Sequence, residues 1–161
     1  MTAQVTLDKD ALRSLLTTVR DTSWSWTEDD VPVLAERFGW TLVQVLPGMG
    51  AVADAGYGLG AKAFRLNFDQ GKVWRVSMRI SSRVAEDDAA DQALLEEVFA
   101  GVQELGAEVF GRPATPYASS VPQVRWRGEQ TTLVVRNLRV AVTMTWATNA
   151  YQDAADAADR G

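Results

Sequence analysis

The chain of 161 residues is 47% hydrophobic, which is enough for one domain that buries its own core. It contains neither cysteine nor histidine, so disulfides, thiolate chemistry and the usual general base of hydrolases are excluded. Its net charge of −5 at pH 7 argues against general binding to nucleic acid, which depends on clustered positive charge.

The first segment of the chain predicts two helices. Apolar residues recur at helical spacing from Thr6, a candidate N-cap, to about Asp21. A second helix begins with Thr27 as its N-cap, or three residues later with the proline in its first turn, and ends at Gly39. The start has no signal-peptide pattern and no apolar run is long enough to span a membrane, so we expect a cytoplasmic protein without a membrane partner.

A glycine-rich segment, LPGMGAVADAGYGLG, follows the strand predicted for residues 40–46. Gly48, Gly50 and Ala53 match G-x-G-x-x-[GA], the fingerprint of a dinucleotide-binding loop. That loop works where a helix follows and points its N-terminus at the pyrophosphate, whereas here more glycines and a hairpin follow. We therefore interpret the segment as a mobile loop or an irregular edge strand, or as a loop that orders against a partner, and we expect no cofactor.

Residues 62–68 and 72–80 alternate between apolar and polar side chains and predict a β-hairpin. Residues 87–110 predict a long amphipathic helix. Gly101 and Gly106 weaken this helix, each by about 1 kcal/mol relative to Ala, so it bends or packs closely there.

The remaining chain predicts a proline-bearing loop and three short strands at residues 123–127, 131–136 and 140–147. The order α-α-β-(β)-β-β-α-β-β-β indicates an α+β domain over residues 1–150, with an antiparallel sheet of about five or six strands and helices packed on one face. Residues 151–161 are rich in alanine and aspartate and predict a frayed helix or a disordered tail.

Two acidic clusters lie at predicted helix starts, at residues 28–30 and 86–88. Carboxylates at these positions complement the positive end of the helix dipole, which explains them without a ligand. The sequence has no D-x-D-x-D-G loop, so we expect no metal site, and contact with a partner is the alternative function.

Arginines on the predicted strands lie opposite the apolar alternation and place positive charge on one face of the sheet. This face is interpreted as a solvated outer surface whose charges also discourage edge pairing. The alternative is a docking face for an acidic partner or segment, since guanidinium groups on rigid strands are good anchors. The residues concerned are Arg65, Arg75, Arg79, Arg125, Arg127 and Arg136.

Six tryptophans are heavy usage for a chain of this length, and core packing is expected for Trp40, Trp74, Trp126 and Trp146. Two others lie between the first helices, beside acidic residues, and are expected to be exposed or at an interface. Exposed aromatic rings ringed by charge have the composition of an interface hot spot. The predicted partner-binding residues are Trp24, Trp26, Glu28, Asp29 and Asp30.

Three segments, SWTEDDVPVLAERFGW (25–40), EVFGRPATPY (108–117) and VRWRGEQTTLVVRN (124–137), resemble a family of small actinobacterial proteins of unknown function. In that family a helix ends in a phenylalanine-glycine-x-proline turn and a strand carries arginine-tryptophan-arginine. Such proteins are similar to immunity proteins encoded beside polymorphic toxins, including toxins exported by type VII secretion. The resemblance implies a non-catalytic immunity protein that binds and neutralises a cognate toxin in the cytoplasm. A secretion chaperone or adaptor that holds an exported protein is the alternative, and no residue role carries over.

Overall fold

The computed structural model describes residues 6–160, so residues 1–5 of the predicted domain and residue 161 of the predicted tail lie outside it. Within that range the chain forms four α-helices and eight strands. The helices are α1 (Lys9–Asp21), α2 (Val31–Phe38), α3 (Ala89–Phe110) and α4 (Asn149–Arg160), and a 3₁₀ turn (Glu28–Asp30) precedes α2. The strands are β1 (Thr41–Leu46), β2 (Gly50–Asp54), β3 (Phe64–Asp69), β4 (Lys72–Arg79), β5 (Thr115–Pro116), β6 (Gln123–Arg127), β7 (Thr131–Asn137) and β8 (Val142–Thr148).

All eight strands belong to one open antiparallel sheet in the order β1-β2-β3-β4-β8-β7-β6-β5. Strands β4 and β8 lie at its centre, and β1 and β5 are its edges. A helix followed by four strands occurs twice, as α2 with β1–β4 and as α3 with β5–β8. The α+β class and the antiparallel sheet predicted from the sequence are confirmed.

One face of the sheet, the core face, carries the hydrophobic core. Leu66, Val76 and Trp146 are successive cross-strand partners on this face, with exposed fractions of 1%, 0% and 1%. Helix α3 packs against the same face at Trp126, and the Phe38 ring at the end of α2 lies 5.8 Å from the Trp146 ring. Helix α1 packs against α3. These three helices therefore cover the core face, as the amphipathic patterns predict.

Helix α4 packs on the opposite face, which we call the outer face. Along β6 the side chains alternate, so Arg125 and Arg127 point away from Trp126 and the core. Arg125 forms an ion pair with Asp156, and Arg127 forms one with Asp153, both on α4. The three helices predicted for the domain thus share the core face, whereas α4, which the sequence analysis assigned to a frayed or disordered tail, packs on the outer face.

The acidic tail predicted for residues 151–161 is helical as far as Arg160. Its alanines and aspartates bury little apolar surface, which is why the composition indicated fraying or disorder. The helix is instead held by charge, because the sheet presents arginines to its aspartates. Tyr151 adds an aromatic contact, with its ring 4.7 Å from that of Trp74.

The predicted count of five or six strands is too low. The optional strand predicted in the glycine-rich segment is present as β2, although it lies between β1 and β3 and not at the edge of the sheet. Gly50 is required there, because a Cβ at this position would lie 2.7 Å from the carbonyl oxygen of Leu66 on β3. Strand β5 has two residues, one of them Pro116, so it carries no periodic pattern.

The helix boundaries follow capping chemistry. Asp8, rather than Thr6, caps α1 by accepting a hydrogen bond of 2.7 Å from the amide of Ala11. Helix α2 starts at the later of the two predicted positions, with its proline in the first turn, and ends at Gly39 with a φ of 75°. The predicted start of α2 after Asp30 and its end at Gly39 are confirmed.

Candidate partner-binding surfaces

The two tryptophans of the predicted site are half-buried and belong to an aromatic cluster. The ring of Trp26 lies 5.0 Å from that of Trp24 and 4.8 Å from that of Trp146. The indole nitrogen of Trp24 is buried without a hydrogen-bond partner. These contacts make the pair part of the packing over the core face, whereas the sequence indicated exposed rings.

The backbone that carries this pair is fixed to the β3–β4 hairpin. Trp26 has a φ of 58°, in the left-handed region that is unusual for a bulky residue. Its carbonyl accepts a hydrogen bond of 2.9 Å from the amide of Val73, and the amide of Glu28 donates to the carbonyl of Gly71 at 2.9 Å. The hairpin therefore holds residues 24–28 in a conformation that the segment would rarely adopt alone.

The three acids of the predicted site differ in their surroundings. A side-chain oxygen of Glu28 accepts a hydrogen bond of 3.1 Å from the amide of Gly48, in the turn between β1 and β2. Asp30 accepts a hydrogen bond from the hydroxyl of Ser25. Asp29 is exposed. The structure thus places the acidic segment beside the β1–β2 turn, and its role in binding a partner stays a prediction.

The arginines predicted to share a face of the sheet do so. Residues that are directly opposite each other on neighbouring strands share a face of the sheet. A continuous row of such pairs leads from Arg65 on β3 to Arg125 on β6, through Ser77, Thr145 and Val134. Helix α4 covers the part of this outer face formed by β7 and β8. An acidic segment does dock on this face at Arg125 and Arg127, and it is α4 of the same chain.

Arg79 anchors the loop that follows β2. Its guanidinium donates hydrogen bonds of 2.7 Å to the carbonyls of Ser81 and Leu59. Burial, followed by the charges of Arg83 and Arg65, lowers the pKa of Arg79 below its ordinary value. Because both hydrogen bonds go to backbone oxygens of the chain, this arginine has a structural role.

Among the four tryptophans predicted to pack in the core, Trp74 is the one whose predicted position is wrong. The alternation along β4 predicts that it points to the core, together with Val76. A register shift opposite Asn67 and Phe68 breaks the alternation, and the Trp74 ring instead contacts Tyr151 of α4 on the outer face. Trp40, Trp126 and Trp146 are buried, as predicted.

The sheet edge formed by β1 is a third surface, which the sequence analysis did not select for binding. Within residues 6–160, β1 pairs only with β2. Val43, Val45 and Leu46 are each 45% exposed, and Met49 in the following turn is 69% exposed. Edge strands are usually protected by charged residues, yet no charged residue lies between Arg37 and Asp54. That uncharged run is the sequence signal that identifies this edge.

A cavity lies next to the β1 edge on the outer face. It has a volume of about 280 Å³ and is lined by Gln44, Leu46, Met49 and Arg65, among other residues of β1–β3. It is open to solvent and bordered by apolar side chains. A side chain of a segment paired with β1 would lie close to this cavity, because successive residues of a strand alternate between faces.

The described residues offer neither a metal site nor a membrane-spanning helix. Among residues 6–160, no group of three or more His, Cys, Asp or Glu side chains is placed to hold a metal ion. In the same range, no helix has the length and apolar character needed to cross a membrane. Of the two fingerprint glycines, Gly48 lies in the turn between β1 and β2 and Gly50 begins β2, and the next element along the chain is strand β3 and not a helix.

The chain belongs to DUF6301, a family of unknown function whose model matches residues 10–148. This span runs from α1 to the end of β8, so α4 lies outside it. No curated protein and no solved structure matches the chain. The link to toxin immunity therefore depends on the resemblance of the sequence motifs, and it is taken up as a proposal below.

Proposed function

We propose that the chain is a non-catalytic immunity protein that binds and neutralises a cognate toxin in the cytoplasm. The observation that carries the binding part of this proposal is the unprotected β1 edge. The toxin is proposed from the motif resemblance, and a secretion chaperone or adaptor is the second candidate. Both functions require a specific protein–protein interface, and both use the same edge.

An extended segment of the partner fits this edge better than a folded, charged surface does. Main-chain groups along the free side of β1 can pair with such a segment, which supplies affinity in strand addition. Val45 and Leu46 present apolar side chains on opposite faces of the strand and can contact alternate residues of the segment. The adjoining cavity of about 280 Å³ can accept one side chain and contribute specificity.

The acidic site predicted from the sequence borders the same edge. Because Glu28 holds the amide of Gly48, the segment that carries Asp29 is fixed against the turn at the end of β1. Many toxins that act on nucleic acids have basic clefts, and carboxylates at the rim of an interface accelerate encounter with such a partner. We therefore place Asp29 at the rim and the apolar β1 edge at the centre of the interface.

A pair of matched substitutions tests the role of the edge. Val45→Lys puts a charge on the free strand, as natural edge strands do, and should weaken partner binding by at least about 2 kcal/mol. Leu138→Lys is the control, because Leu138 is also an exposed apolar residue, 39% exposed, but follows β7 instead of lying on the edge. Surface plasmon resonance with the product of a neighbouring gene measures both.

Circular dichroism on each variant establishes that the fold is intact before binding is compared. Equal losses in the two variants, or full binding by folded Val45→Lys, would show that β1 is not the contact. Immunity is distinguished from the chaperone role by the activity of the bound partner. An immunity complex abolishes toxin activity, whereas a chaperone complex leaves it intact and supports export.

A further inference from the structure

A second cavity lies on the outer face, between the loop joining β5 to β6 and the last turn of α4. Its volume is about 460 Å³, within the range of small-molecule sites, and it is open to solvent. Its lining is almost entirely polar and includes two arginines and three hydroxyl-bearing side chains. The lining residues used below are Tyr117, Ser119, Ser120, Arg125, Arg136 and Asp159.

Arg136 is the central feature of this cavity. It is half-buried near the end of β7, and no ion pair of its guanidinium is found within residues 6–160. With the Gln123 amide oriented so that its oxygen faces the guanidinium, that oxygen accepts hydrogen bonds of 3.1 Å from Nε and Nη2 of Arg136. Its Nη1 reaches the hydroxyl of Thr145 at 3.5 Å, which is a weak contact. The charge is thus held by neutral acceptors.

The surroundings of Arg136 disfavour its charge. Burial is the largest cause that lowers the pKa of Arg136, followed by the nearby charges of Arg125 and Arg75, while Asp159 and Asp156 act in the opposite direction. A partly desolvated guanidinium beside two others is costly unless an anion compensates it.

Arg125, on the same face, differs from Arg136 because it forms a direct ion pair. Its two terminal nitrogens contact the carboxylate of Asp156 at 2.7 and 2.9 Å, and its guanidinium lies 3.5 Å from the centroid of the Tyr117 ring. Asp156 therefore directs its carboxylate to Arg125, and the guanidinium of Arg136, which has no direct ion pair within residues 6–160, is compensated only in part by the nearby charges of Asp159 and Asp156.

We propose that the cavity binds a small molecule through a phosphate group, with Arg136 as the main anchor. A guanidinium fork matches two oxygens of a phosphate, and the hydroxyls of Ser119 and Ser120 can donate to the others. A carboxylate has only two oxygens and would use fewer of these donors. The volume of about 460 Å³ leaves space for an organic group attached to the phosphate. This site is separate from the β1 edge, at the other side of the sheet, and does not depend on the proposed function.

Asp159 supplies a carboxylate to the lining of the cavity. Its side chain is exposed, and within the described residues no arginine forms a direct ion pair with it. Its charge repels a bound anion while it partly compensates Arg136. Removing that charge should therefore tighten phosphate binding, whereas removing any of the donors should weaken it. This opposite pair of effects is specific to an anion site.

The experiment titrates isotope-labelled full-length chain with inorganic phosphate, phenyl phosphate and benzoate, and follows amide chemical shifts by NMR. The expected shifts lie in residues 117–125 and around Arg136, with phenyl phosphate binding most tightly and benzoate least. Arg136→Gln should lower the affinity for phenyl phosphate at least about tenfold. The double variant Ser119→Ala/Ser120→Ala, in an exposed loop, should lower it about three- to tenfold without affecting folding.

Two further variants complete the test. Asp159→Asn should raise the affinity by about two- to fivefold. Arg127→Gln is the matched control, because Arg127 lies on the same strand as Arg125, pairs with Asp153 and does not line the cavity. The proposal is overturned by an absence of saturable shifts at millimolar phosphate, by benzoate binding as tightly as phenyl phosphate, or by equal losses in Arg136→Gln and Arg127→Gln.

Discussion

Two glycines of α3 provide a test of how closely this helix packs on the sheet. Gly101 and Gly106 stand five positions apart in one helix, and the sequence alone treats them alike. A Cβ added at Gly106 would lie 2.3 Å from Cζ2 and 2.4 Å from Cη2 of Trp126, whereas a Cβ at Gly101 would meet nothing within 4 Å. Gly106→Ala and Gly101→Ala should therefore change stability in opposite directions.

The magnitudes follow from the surroundings. Either substitution gains about 1 kcal/mol from helix propensity. At Gly106 the ring must retreat by about 1 Å to reach ordinary contact, but Trp126 is 2% exposed, stacks on Phe110 and donates a hydrogen bond of 3.2 Å to the carbonyl of Arg112. Overpacking of this kind costs about 1–3 kcal/mol, and losing the hydrogen bond costs about 1 kcal/mol more.

We therefore expect Gly101→Ala to stabilise the chain by about 0.5–1 kcal/mol and Gly106→Ala to destabilise it by about 1–3 kcal/mol. Urea unfolding followed by circular dichroism measures both, with unchanged m-values showing that the midpoints report stability. If both variants are stabilised equally, α3 does not rest on Trp126 as described, and the packing of the core face is incorrect.

Three further predictions concern the outer face, high pH and the interface rim. Arg125→Gln removes the positive charge that compensates the buried carboxylate of Asp156 and should destabilise the chain by about 3 kcal/mol in urea unfolding, whereas Arg127→Gln, at an exposed pair, should cost less than about 1 kcal/mol. Burial raises the pKa of Tyr57, so the neutral phenol is favoured in the folded chain. The free energy of unfolding should therefore fall as pH rises above the tyrosine pKa of the unfolded chain, which is about 10. Tyr57→Phe should remove part of that fall when unfolding is measured as a function of pH. Asp29→Lys should slow association with a basic partner several-fold at low salt with little change in stability, and an association rate independent of salt would contradict its place at the rim.

The helices on the core face could be predicted from the sequence, because each carries an apolar stripe and recognisable end signals. Gly39 and Gly111 both end helices with positive φ, as their positions after apolar runs indicated. The β3–β4 hairpin could be predicted because the sequences of its strands alternate between apolar and polar residues, although the register shift that turns Trp74 to the outer face could not. In these regions local chemistry and tertiary packing favour the same structure.

The remaining elements depend on contacts that no local pattern reports. Helix α4 forms because Asp153 and Asp156, three residues apart, meet arginines on β6 about thirty positions earlier in the chain. Strand β2 exists because Gly50 lets it approach β3 closely. Both elements have compositions typical of loops or tails, so their stability comes from long-range partners.

The candidate sites show the same division. The arginines were correctly grouped on one face, because alternation along strands is a local property. Their partner, α4, was not identified, because pairing between segments that are distant in the chain is not a local property of the sequence. Trp24 and Trp26 were expected to be exposed or at an interface because polar residues surround them in the sequence. Both are half-buried and pack on Trp146, which is distant in the chain, and their role at an interface stays a prediction.

The proposal that the chain neutralises a toxin through its β1 edge is tested most directly by growth of cells that express a candidate toxin, chosen from the genes that neighbour the gene of this chain. Cells are compared without the chain, with the wild-type chain, with Val45→Lys and with Leu138→Lys, each shown to be folded and present at equal amounts. We predict that the wild-type chain and Leu138→Lys restore growth and that Val45→Lys does not. Equal killing with and without the wild-type chain would contradict the immunity function, and full protection by Val45→Lys would contradict the role of the edge.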